Sequence, residues 1–175
     1  MEMTKKSISI IAAISLCLAA AQSIAAAENS THIKAANKDR SIKVSADITA
    51  PSGFEGPVTS VAGDSIYYEN TGTGEWASFT CITYMSAEEM EKAYDEDNGD
   101  AIIAEQTHSV GSPEEIVVDS VTGSKRSVVT KNPVTGEDEA VTVGIIPQKG
   151  GCLMVKSSAQ DSLYEDILSC IHFSD

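Results

Sequence analysis

Gly63-Asp64-Ser65-Ile66 is a tetrapeptide whose residue types and spacing suggest chemistry. A Gly-Asp-Ser-Ile opening can present a nucleophilic serine to an ester, provided that a histidine steadied by a carboxylate takes the hydroxyl proton. That base belongs in an Asp-x-x-His pair near the C-terminus. The only late histidine is His172, and Ser169 stands where the aspartate is needed, so the tetrapeptide reads as a turn between strands.

The run Asp95-Glu96-Asp97-Asn98-Gly99-Asp100 collects the hard oxygen donors that calcium prefers. With Gly99 at the sixth position of a calcium loop, Asn98 falls at the fifth and Glu105 at the twelfth, both suitable. Tyr94 then takes the first position, where a carboxylate is required. A solvated acidic turn after a helix accounts for the run, with a looser calcium site as the alternative. His32, His108 and His172 lie far apart and lack the paired spacing of transition-metal ligands. Glu105-x-x-His108 lacks the second histidine of the zinc-protease pattern. No phosphate loop, dinucleotide fingerprint or CxxC pair occurs, and no catalytic residue, cofactor or metal ligand is assigned.

Three cysteines follow residue 27: Cys81, Cys152 and Cys170. An oxidising compartment favours one bridge and leaves one thiol. A strand over 152–157 rises about 17 Å and a helix over 162–170 returns about 12 Å, bringing Cys170 back to the level of Cys152. A Cys152–Cys170 disulfide is the geometric candidate. Cys81 is a rival partner, and a buried thiol is the alternative state of Cys170. Tyr67, Tyr68, Trp76 and Tyr84 fall in two neighbouring strands, as core and cross-strand pairs or as a recognition surface.

The elements that position these residues follow from periodicity. Ile42, Val44, Ala46 and Ile48 alternate with polar residues and predict a strand ended by Pro51-Ser52-Gly53. A short strand at 58–61, one at 65–70 and the aromatic and β-branched stretch 76–85 come next. Ser86 and Glu89 form a capping box for a helix from Ala87 to about Asp95, ending near Asn98-Gly99. Segments 115–121, 125–131, 138–146 and 152–157 predict an antiparallel meander, and a closing helix from Asp161 carries Leu163, Ile167 and Cys170 on one face. The type of 101–106 stays open. The fold class is α+β, one domain over 41–175, an antiparallel sheet packed against helices.

Before that domain, Lys5 and Lys6, the apolar stretch from Ile8 to Ala21 and Ala25-Ala26-Ala27 have the three parts of a bacterial secretory signal peptide, residues 1–27. Cys17 follows Leu16 instead of the small residue that lipidation needs, so it leaves with the signal. Residues 28–40 are polar and unpatterned and read as a flexible tail. No apolar run after Ala27 is long enough to span a bilayer, so the expected destination is periplasmic or secreted, without stable membrane insertion after cleavage. The whole chain has a net charge of −14, and about −15 remains once residues 1–27 are removed. Such a surface repels nucleic-acid phosphates and anionic lipids, keeps an exported protein soluble and suits a basic protein partner.

A strand ending in Ala50-Pro51-Ser52-Gly53-Phe54, paired strands, the helix opening Ser86-Ala87-Glu88-Glu89, a hairpin run and a closing strand-helix unit resemble the PsbP-like family, which includes bacterial envelope proteins of the DcrB type. Cys152-Leu153-Met154-Val155 with Tyr164-Glu165-Asp166-Ile167-Leu168-Ser169-Cys170 and Ile171-His172-Phe173 is the most similar stretch. The resemblance implies an α/β/α sandwich and a binding or assembly role, with no fixed active-site residues to carry over. Its plant members support a photosynthetic complex, and a related nuclear protein binds a small GTPase. The expected function is therefore a non-enzymatic binding or assembly role for an exported envelope protein acting on a protein partner. The alternative is a small secreted hydrolase or ligand-binding protein. A concave pocket with convergent titratable groups would favour the second, and a shallow exposed apolar patch the first.

Overall fold

The computed structural model describes residues 30–96, 107–131 and 136–173. Residues 1–27, which the sequence reading takes as a signal peptide, residues 97–106 with most of the acidic run and Glu105, and the side chain of His108 lie outside that description. The described elements are β1 (Thr31–Ala36), β2 (Lys43–Ile48), β3 (Glu55–Thr59), β4 (Ser65–Glu69), β5 (Trp76–Ile82), α1 (Ala87–Asp95), β6 (Thr107–Val110), β7 (Glu114–Val118), β8 (Val121–Lys131), β9 (Asp138–Gln148), β10 (Gly151–Ser157), α2 (Asp161–Leu168) and β11 (Ile171–His172).

All strand pairs are antiparallel. The large sheet runs β3-β4-β5-β10-β9-β8-β6, with β7 also on β8, and a smaller sheet runs β1-β2-β11. Alternation along the central strands sends side chains to two cores. On one face Phe79, Cys81, Leu153, Val155 and Tyr68 meet Ile33, Val44 and Ile48 of the small sheet and Tyr164, Ile167 and Leu168 of α2. On the other, Ile82, Val143, Ile145, Cys152 and Met154 lie under Met90 and Tyr94 of α1. Residues 141–146 are buried without a break because both faces of β9 are covered. The molecule is thus mostly antiparallel sheet with one helix on each face, and the expected sandwich is modified because α2 shares its layer with a small sheet.

The helix α1 begins as its sequence predicts. Ser86 accepts from the Glu89 N–H at 3.2 Å, and the Glu89 carboxylate accepts from the Ser86 N–H at 2.8 Å.

Other expectations need correction. Residues 31–36 form β1 instead of belonging to a tail, because Ile33 is fully buried against the core once β1 pairs with β2. The turn inside 115–131 falls at Asp119-Ser120, with φ of 46° and 69°, and not near Gly123. Gly123 lies within β8, where a Cβ would come 2.6 Å from the Ile145 carbonyl oxygen. The buried face of α2 is Tyr164, Ile167 and Leu168; Cys170 lies beyond its end.

Candidate functional site

The sequence-predicted residues do not converge. Ser65 opens β4, and its N–H donates to Ser60 Oγ at 3.2 Å while that hydroxyl donates to Asp64 Oδ1 at 2.6 Å. These bonds close the β3–β4 hairpin, which is the turn expected of Gly63-Asp64. His172 sits on β11, in the small sheet. Asp95 accepts from Arg126 Nη1 at 2.8 Å, and Tyr94, at the head of the rejected calcium loop, is buried beneath α1.

The Cys152–Cys170 bridge does not form, and all three thiols are free. Cys152 pairs with Ile82 and packs under α1, whereas Cys170 follows α2 on the opposite side of the large sheet. Cys81 is no better a partner for Cys152, since it pairs with Leu153 and faces the α2 side. Burial pushes both the Cys81 and Cys152 thiols up to about 12, so neither is a thiolate at neutral pH. Cys170 Sγ lies 3.3 Å from the Asp166 carbonyl oxygen.

The aromatic residues also divide between the faces. Tyr67 and Trp76 stack at 6.2 Å and Trp76 Nε1 donates to Glu139 Oε1 at 2.9 Å, while Tyr68 meets Phe79 edge-on in the other core. Tyr84 is exposed. They are cross-strand and core pairs, not one surface.

Two groupings escaped the sequence reading. Arg126 is buried, and its guanidinium binds Glu91 and Asp95 of α1 and lies 5.5 Å from the centre of the Tyr94 ring. The i,i+4 spacing of Glu91 and Asp95 opposite a basic residue at an inward strand position is the signal that could have found it. In the small sheet, His32 and His172 lie in register on either side of Asp47, whose carboxylate is 3.0 Å from His32 Nδ1. Among the described residues, no group of three metal-ligating side chains is close enough to hold an ion.

A groove of about 260 Å³ lies between the β7–β8 hairpin and the α2–β11 unit. Val117, Val118, Leu168 and Ile171 supply its apolar lining, and Asp119, Glu165, Ser169 and His172 supply its polar groups. The walls are tied together. Asp119 Oδ2 accepts from the Phe173 N–H at 2.7 Å, Glu165 pairs with Lys125, and the Thr49 N–H donates to the Cys170 carbonyl at 2.9 Å. The bond to Glu165 raises the Lys125 ammonium pKa above its ordinary value. The two carboxylates are thus engaged by the protein itself, and Val117 remains 66% exposed at the lip. Such a groove offers apolar contact and an acidic rim.

No protein-family model matches the sequence, and no curated protein matches it at a significant level. Among solved structures, the chain is similar to the Ran-binding protein Mog1p of Saccharomyces cerevisiae, with 11% identity and a TM-score of 0.50 over 82% of this chain and 96% of Mog1p. It is also similar to cyanobacterial PsbP (CyanoP) from Synechocystis sp. PCC 6803, with 13% identity and a TM-score of 0.48 over 90% of this chain and 99% of that one. At these identities the likeness concerns the fold alone. The likeness to Mog1p is one of architecture: an antiparallel sheet with helices packed against it.

Proposed function

We propose that this protein is an exported envelope protein, of the kind represented by DcrB-type members of the PsbP-like fold, that binds a protein partner without catalysis. The observation that carries this reading is the groove between the β7–β8 hairpin and α2–β11. It is open to solvent, four of its eight lining residues are apolar, and its carboxylates are already engaged by Phe173 N–H and Lys125. Its volume lies below the roughly 300 Å³ at which small-molecule clefts begin. Mog1p, a Ran-binding protein, is in keeping with a binding role on this fold. Export rests on the signal-like residues 1–27 and accords with the acidic surface.

The test has two parts. N-terminal sequencing of the protein from a bacterial host should find Glu28 first, in the periplasmic or secreted fraction; a chain starting at Met1 in the cytosol sinks the export reading. A photo-crosslinker at Val117 should capture a protein that one at Val61, 83% exposed on the β3–β4 hairpin, does not. Equal capture from both positions removes the groove as the binding surface.

A further inference from the structure

The strand β7 leaves one edge open among the described residues. It pairs with β8 alone, and the hairpin closes through the two-residue turn Asp119-Ser120, flanked by the pair Val118 and Val121. In a hairpin of this kind the flanking pair exchanges both backbone hydrogen bonds, and the exchange repeats at every second pair. The bonded pairs are therefore Val118 with Val121, Ile116 with Gly123, and Glu114 with Lys125. It follows that the N–H and C=O groups of Glu115 and Val117 point away from β8. No backbone group among the described residues takes them up.

The groove runs beside this open edge, so both halves of a strand-recognition device adjoin. Unpaired ladder groups supply the hydrogen bonds, and the groove over Leu168 and Ile171 receives alternate side chains. The charge around them selects the occupant. Glu114 and Glu115 lie on the strand, both exposed. A second copy of the chain is disfavoured, because β7 carries Glu114 and Glu115 and no basic residue, and two copies of a protein of net charge −14 repel.

We propose that β7 takes up an extended basic segment of a partner protein as an added strand, with alternate apolar side chains entering the groove and lysines or arginines between them beside Glu115. This rests on the protein-binding reading above and specifies its mode and its partner's chemistry.

A random decapeptide library displayed on phage, selected against residues 28–175, tests it. Enriched peptides should alternate lysine or arginine with valine, isoleucine or leucine, and should slow amide hydrogen exchange at Glu115 and Val117. Val117→Pro removes the outward N–H without breaking a bond to β8, and Val117→Lys puts a like charge against the incoming strand. With circular dichroism unchanged, both should weaken binding about tenfold or more, the effect of losing one or two edge hydrogen bonds or of charge repulsion. If one variant fails to fold, the other decides. Peptides that are acidic, that protect other amides or that bind both variants unchanged overturn strand addition and leave a binding protein with another surface. A library that yields no binder removes the strand proposal and the protein-binding reading together.

Discussion

Arg126 and Lys125 are neighbours on β8 that reach opposite faces of the large sheet, Arg126 to Glu91 and Asp95 of α1 and Lys125 to Glu165 of α2. One dipeptide therefore fastens both helices, and the two attachments differ in burial. The Arg126 side chain is 1% exposed, whereas Asp95 is 60% exposed and Glu91 24%.

Removing the more buried partner of Arg126 should cost more. Glu91→Ala leaves a buried guanidinium short of a carboxylate and is expected to destabilise by about 3 kcal/mol. Asp95→Ala acts on a largely solvated carboxylate and should cost about 1 kcal/mol or less. Urea titrations followed by circular dichroism measure both, and equal costs would show that Glu91 is not the principal partner.

Gly144 and Tyr164 should behave as a coupled pair. A Cβ at Gly144 would come 2.5 Å from the Tyr164 hydroxyl, which donates to the Val155 carbonyl at 3.0 Å. Gly144→Ala is expected to cost about 1–3 kcal/mol through overpacking. Tyr164→Phe alone should cost about 1 kcal/mol for the lost bond. With the hydroxyl gone, the next ring atom is 3.6 Å from that Cβ, an ordinary contact. Gly144→Ala should therefore be nearly neutral in the Tyr164→Phe background, and thermal melts of all four proteins will show additive losses if the contact is not the cause.

The buried thiols make stability fall in alkali. Burial pushes the Cys81 and Cys152 thiols up to about 12 in the folded protein, against the ordinary thiol value of 9.0 in the unfolded chain. Above pH 9 the unfolded chain loses those protons first, so the contribution is complete below pH 9 and is lost as pH rises toward 12. The urea midpoint should drop between pH 8 and pH 10, and less so in Cys81→Ala/Cys152→Ala. Intact mass after alkylation at pH 8 should show both thiols unmodified in the folded protein, and all three modified in urea without any reductant. A need for reductant would restore a disulfide.

The capping box predicts an acid-side effect of opposite sign. Hydrogen bonds from the Ser86 N–H and hydroxyl hold the Glu89 carboxyl below its ordinary value of 4.5. Its contribution is present above that pH and fades as pH falls through the lowered value. Ser86→Ala should cost about 1 kcal/mol at pH 7. The loss should shrink in acid, and a loss independent of pH would separate the cap from the Glu89 charge.

Ser86 and Glu89 show why parts of this fold are legible in sequence: the contact joins residues three apart, and local backbone geometry brings them together. The same holds for Val44, Ala46 and Ile48, whose alternation survives as the buried face of β2. The strand β1 was hidden because Ile33 is its single large inward side chain, too little alternation to stand out from a polar stretch. The groove was less legible still, since its lining comes from β7, α2 and β11, whose adjacency is set by sheet order.

The cysteines mark where local inference stops. Rise per residue sets how far a returning helix runs, but it carries no information about which side of the sheet that helix takes. Cys152 and Leu153 are adjacent in the chain and belong to opposite cores; register with Ile82 and Cys81 and the packing of α2 decided the matter. The sequence by itself determined elements, caps and charge, because these depend on neighbours along the chain. Only the tertiary structure decided which residues share a face, because that depends on strand order and register between segments as far apart as Cys81 and Leu153.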